Sequence, residues 1–255
     1  MRVGSKERAG SMFAIVMCDS AILPSAEMLQ TGLARREPNV RFASAEEDDT
    51  VVLGFAGKRM ISFARVAARC PIGANEPCVK SAWHWPDAQA AVASHKSHML
   101  LSVAIGEDPR GCAALLGECV ASAIRAAGNA VAVHWQRSDS LWPADIVAKT
   151  SDSADPKRLT PFCIAVKLGR GADGLGAAAK GLDAFGLKEI EVRGFQGKPG
   201  ELAMTLQGIG EYQAMTGNVI GDGQTVDGAG GARLMAKVEP SSFSLGDMCL
   251  RLYYQ

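Results

Sequence analysis

Short apolar runs alternate along the chain with segments of helical period, and the clearest alternation spans His95 to Trp135. An apolar run from Met99 to Ile105 meets a turn at Gly106-Glu107-Asp108-Pro109. A helix-period segment follows to Ala127 and stops at Gly128-Asn129. A second apolar run covers Ala130 to Trp135. The pattern predicts a strand, a crossover helix and a strand, the parallel unit of an α/β layer. Asp108 is the expected N-cap, with Pro109 in the first turn.

Before that unit, Phe13 to Cys18 reads as a strand. Ser25 then caps a helix with Met28, Leu29 and Leu33 on one side. Val40 to Ala43 predicts a short strand. Val51 to Phe55 and Met60 to Val66 predict a hairpin around Ala56-Gly57-Lys58-Arg59. Cys70 to Lys80 reads as a loop and Asp87 to Ser94 as a helix. With the short Val40 to Ala43 run set aside, the order from residue 13 to 105 reads strand, helix, strand, strand, helix, strand, a ferredoxin-like β-α-β-β-α-β order.

Beyond Trp135, Leu141 to Lys149 predicts a short helix and Phe162 to Leu168 a strand. Gly169 to Gly176 is a glycine-rich turn, followed by a weakly helical stretch from Leu175 to Phe185. Glu189 to Val192, Leu234 to Val238 and Met248 to Tyr253 read as strands, and Pro199 to Thr216 as a helix. The expected class is α+β: a mixed sheet with the ferredoxin-like order in the N-terminal half and helices packed on it. Residues 12–255 form one domain in this reading, with a subdomain boundary near 150–160. Residues 1–11 read as a leader or an extension.

Composition narrows the function classes. The chain has 255 residues, 47% of them hydrophobic, enough for a large core. Acidic and basic residues balance at 27 each, so no strongly basic field exists for nucleic acid. No apolar stretch is long enough to span a bilayer. The cysteines are odd in number and lack any Cys-x-x-Cys pair, which fits a reduced cytoplasmic interior.

Candidate chemistry is sparse. Gly169, Gly171 and Gly174 follow a strand, and Glu189 stands twenty positions after Gly169, as in a dinucleotide fingerprint. The plainer reading is a surface loop, and no cofactor is expected. His95 and His98 have the spacing of a metal pair, which His84 or His134 joins only if the fold gathers them. The plainer reading has these rings beside the sheet. Glu189 and Glu191 share one face of a strand, read as solvated, with Ile190 and Val192 on the other. Trp83 and Trp85 form the densest aromatic cluster, either core packing or a partner surface. The acidic run Glu46, Glu47, Asp48 and Asp49 is suited to steering a basic partner.

The tryptophan segment before an alanine-rich helix, the SHKSHMLLSVAIG strand and AVAVHW resemble an uncharacterised bacterial family, domain of unknown function 4261. So does GLDAFGLKEIEV before a helix and an Asp222-Gly223 turn. The resemblance covers roughly residues 80–255. It implies an α+β bacterial protein and assigns no catalytic residue. The resulting expectation is a non-enzymatic cytoplasmic protein-binding protein, in one form a toxin-neutralising (immunity-like) protein or a secretion-associated adaptor. The alternative is a nucleotide-binding enzyme or sensor using 169–174.

Overall fold

The computed structural model describes residues 10–35, 37–43, 50–151, 160–244 and 246–255. The chain divides into two compact units, one of Met1–Gln136 with Leu141–Ala154, the other of Arg137–Ser140 with Asp155–Gln255. Both combine helices with sheet, so the class is α+β.

In the first unit the elements run β1 (Gly10–Cys18), α1 (Ala26–Ala34), β2 (Val40–Phe42), β3 (Val51–Ala56) and β4 (Arg59–Val66). Then follow α2 (Pro77–Lys80), α3 (Ala88–Ser94), β5 (Ser97–Ile105), α4 (Pro109–Ala127), β6 (Ala130–Trp135), β7 (Ser140–Pro143) and α5 (Ala144–Ser151). Seven strands lie in the order β2-β3-β4-β5-β1-β6-β7. Three strands, not two, separate α1 from the next helices, so the simple ferredoxin-like order is interrupted by β2. The crossover unit is present with a modification. β5 and β6 both pair antiparallel with β1, so they run parallel to each other with β1 inserted between them.

Local chemistry explains the helices. The Ser25 hydroxyl accepts the Met28 N–H at 3.2 Å and opens α1. The Asp108 carboxylate accepts the Gly111 N–H at 2.9 Å and meets Arg59 at 2.7 Å. α4 ends at Gly128, whose φ of 66° is the left-handed cap that glycine adopts without strain. α4 packs on β1 and β5 between α1 and α5. It buries Leu115 and Leu116 almost completely, each worth about 1.5–3 kcal/mol. The opposite sheet face carries a second cluster, where Ile15, Met17 and Ala132 meet Cys78, Val79 and Val92 of α2 and α3.

The second unit contains α6 (Thr160–Cys163), β8 (Ala165–Gly171), β9 (Gly174–Lys180), β10 (Ile190–Phe195), α7 (Pro199–Thr216), β11 (Thr225–Asp227), β12 (Arg233–Pro240) and β13 (Met248–Tyr254). Its six strands run β11-β12-β13-β10-β9-β8. α7 lies on one face, where Leu202, Leu206 and Ile209 pack against Ile190, Val192 and Leu250. The stretch from Leu175 to Phe185 is not one helix but strand β9 and a 3-10 turn over Leu182–Phe185. Alanine favours a helix, yet β9 pairs with β8 on one side and β10 on the other. Tertiary pairing overrides the local preference.

Candidate functional site

The glycine-rich stretch is a hairpin. Gly169 pairs with Gly176 and Gly171 with Gly174 across β8 and β9. The fingerprint needs a helix after the turn, and a strand stands there instead. A Cβ on Gly169 or Gly171 would meet nothing within 4 Å, so no close approach of the chain itself requires glycine at either position. Gly174 is glycine for a local reason: its φ is 125°, and a Cβ would lie 2.9 Å from the Phe195 carbonyl oxygen. Glu189 serves the next turn, accepting the Gly181 N–H at 3.0 Å and the Leu182 N–H at 3.4 Å. Burial pushes its carboxyl up to about 7, against those hydrogen bonds and nearby Lys180.

His95 and His98 are used internally. The His95 Nε2 accepts the Cys70 N–H at 3.0 Å, which leaves Nδ1–H to donate to the Val92 carbonyl at 2.5 Å. The His98 Nδ1 donates to the Ala68 carbonyl at 2.7 Å. Both rings are buried, and they fasten the segment 68–70 to the start of β5. A metal at His95 would have to break one of its two backbone bonds. The cysteines offer no ready nucleophile. Burial pushes Cys18 and Cys163 up to about 12 and Cys249 up to about 11, so these thiols keep their protons.

The tryptophans separate. The segment turns at Ala82–Trp85 instead of running extended, so alternate positions do not share a side. Trp85 packs beside the Ile15–Met17 cluster, whereas Trp83 is 61% exposed. His84 stands edge-on to Trp83 and 4.0 Å from the Trp142 ring centroid. The acidic residues 46–49 lie outside the described residues.

The strongest surface feature was not singled out by the sequence. On β3, Val52 and Ala56 point into the core, while Val51, Leu53 and Phe55 are exposed by 54%, 48% and 50%. Met60, exposed by 44%, stands opposite Phe55 in the pairing with β4. Register places this patch in the wider fold. Leu53 opposes Ser62, Ser62 opposes Ser102, and Ser102 opposes Phe13. Directly paired residues share a face, so the patch lies on the face that α2 and α3 cover further along. Among the described residues, one half of that face is covered and the other is bare. The signal was present: Val51-Val52-Leu53 shows no apolar–polar alternation, the pattern of a strand covered on both sides.

In the second unit, the sheet face away from α7 holds a buried ionic cluster. Glu191 of β10 opposes Arg251 of β13 in a parallel register, and the two approach at 3.3 Å. Arg251 also meets Glu239 at 2.9 Å, and the Tyr253 hydroxyl donates to Glu239 at 2.7 Å. Ser241 and the Ser242 N–H donate to Glu191 from the following loop. Burial pushes the Glu191 carboxyl up, but the bonds from Ser241, Ser242, Arg251 and Cys249 together hold it below the ordinary carboxylate value. Glu191 is therefore 1% exposed rather than solvated. Both carboxylate oxygens of Glu191 and both terminal nitrogens of Arg251 are bonded within the sheet and the following loop, as in a structural ion network, while Arg251 Nε has no hydrogen-bond partner among the described residues.

Residues 178–253 match the family described as Domain of unknown function (DUF4261). The DUF4261 stretch takes in the end of β9, then β10, α7, β11, β12 and nearly all of β13, and so includes both Glu189 and the Glu191–Arg251 cluster. Nothing among curated proteins or solved structures matches the chain. No helix among the described residues is long and apolar enough to cross a membrane.

Proposed function

We propose that this protein is a non-enzymatic binding protein that holds a protein partner against the bare half of the first unit's sheet. The observation that carries this reading is the row of Val51, Leu53, Phe55 and Met60 on a single hairpin face. Contiguous exposed apolar side chains of this size mark interaction surfaces. Trp83, exposed in the same unit, offers a further aromatic anchor. In the chain the acidic run Glu46–Asp49 lies between β2 and β3, and it supplies charge to steer a basic partner. None of the seven cysteines forms a disulfide, which supports a cytoplasmic setting. A bacterial toxin-neutralising protein or a secretion-associated adaptor is the concrete form of this role, since either needs a complementary surface and no reaction.

The test pairs capture from the native lysate with a surface variant. Wild-type protein and a Leu53→Ser, Phe55→Ser variant are immobilised in parallel, and retained proteins are identified by mass spectrometry. A partner held by the wild type and lost by the variant supports the role. Equal retention by both removes it.

A further inference from the structure

The second unit ends its sheet on β11, which among the described residues pairs with β12 alone. The Ala236 N–H donates to the Gln224 carbonyl at 2.8 Å, and the Gly228 N–H to the Ala232 carbonyl at 2.7 Å. Antiparallel pairing alternates, so the Gln224 carbonyl, Val226 and the Gly228 N–H face β12. Thr225 and Asp227 therefore direct their N–H and C=O outward, and both residues are exposed. An outward row of that kind is a template for another strand.

A groove of about 490 Å³ lies beside it, lined by Met204, Ile209, Tyr212, Ile220 and Val226. The groove is held open by its own chain. The Gln213 side chain, 2% exposed, accepts the Ile220 N–H at 2.8 Å, and Asn218 donates to the Tyr212 hydroxyl at 3.1 Å. Asp227 lines the groove, Glu201, Glu211 and Asp222 lie on the elements that form its walls, and α7 and residues 217–228 carry no lysine or arginine, the opposed cation being Arg233 across from Asp227 on β12. In a chain of zero net charge, that is a local excess of negative charge.

We propose that an extended, cationic peptide segment of a partner protein adds to the edge of β11 and sets an apolar side chain in this groove. Backbone hydrogen bonds to Thr225 and Asp227 would supply strand addition, the groove would select an apolar side chain, and the acidic walls would select basic neighbours. The surface is separate from the bare face of the first unit and does not depend on it.

The test uses fluorescence anisotropy on the full chain with a short labelled peptide of alternating lysine and leucine. A copy N-methylated at alternate residues removes the strand hydrogen bonds, and a copy with glutamate for lysine reverses the charge. The expected result is saturable binding of the parent peptide, weakened about tenfold or more in each altered copy. A Met204→Lys, Asp227→Lys variant of the exposed rim should lose binding to the same degree with an unchanged circular dichroism spectrum. The Leu53→Ser, Phe55→Ser variant should bind as the wild type does. Absence of saturable binding overturns the proposal. So does equal binding of the N-methylated copy, retention by the rim variant, or loss in the Leu53, Phe55 variant.

Discussion

The two sheets of this protein invert the usual placement of charge and oil. The second unit buries Glu191 and Arg251 on a strand face, while the first exposes Val51, Leu53, Phe55 and Met60. Residue type did not decide which face became interior; cover did. The loop after β12 folds back so that Ser241 and Ser242 reach Glu191, and Phe243 approaches Gly176. No such loop reaches β3 among the described residues. A charged face with a lid is a core, and an apolar face without one stays exposed.

The largest effect should come from breaking the covered face. Arg251→Met leaves Glu191 buried without its cation, and the expected loss is about 3–5 kcal/mol of folding stability, read by urea denaturation. Stability near that of the wild type would mean that the cluster is not an ion network.

The next effect separates two glutamates on neighbouring positions. Glu189 titrates near 7 when folded, above its ordinary 4.5, so the folded state binds its proton more tightly than the unfolded chain does. Its contribution is complete below 4.5 and is lost as pH rises from there through about 7. Glu191 is shifted the other way, so its contribution is present above the ordinary carboxylate value and is lost as pH falls below it. A Glu189→Gln variant should therefore flatten the decline in stability between pH 4.5 and about 7 and leave the acid limb unchanged. An unaltered profile in that window would contradict the assignment.

Changes on the bare face should cost the least stability. Leu53→Ser with Phe55→Ser should shift unfolding by only about 0.5 kcal/mol, because exposed side chains lose little on truncation. A much larger loss would mean that the face is packed within the chain. Replacing Glu46, Glu47, Asp48 and Asp49 by serine should slow association with the captured partner at low salt and leave its dissociation unchanged. An unchanged association rate would remove the steering role.

The elements with strong local signals were legible in the sequence. Asp108, Pro109 and Gly128 marked both ends of α4, and the structure places caps at those positions. Features set by register were not legible. Glycines at 169, 171 and 174 suit a phosphate turn or a hairpin equally well, and the partner strand decided between them. Glu191 read as solvated because alternation tells which residues share a face but not whether a loop will close over it. His95 and His98 had metal spacing, yet the backbone groups that occupy their rings come from residues 68, 70 and 92. The bare patch was hidden for the converse reason. An apolar run on both sides of β3 describes a strand covered twice, and the sequence does not say whether anything covers the second side.

That question is addressed most directly by placing a photoreactive benzophenone side chain at Phe55 and irradiating the native cells. A second strain carries the same group at Lys188, an exposed position in the other unit. The account predicts one protein attached covalently through position 55 and not through position 188. No adduct at position 55, or the same products from both positions, would contradict the claim that the bare face holds a partner.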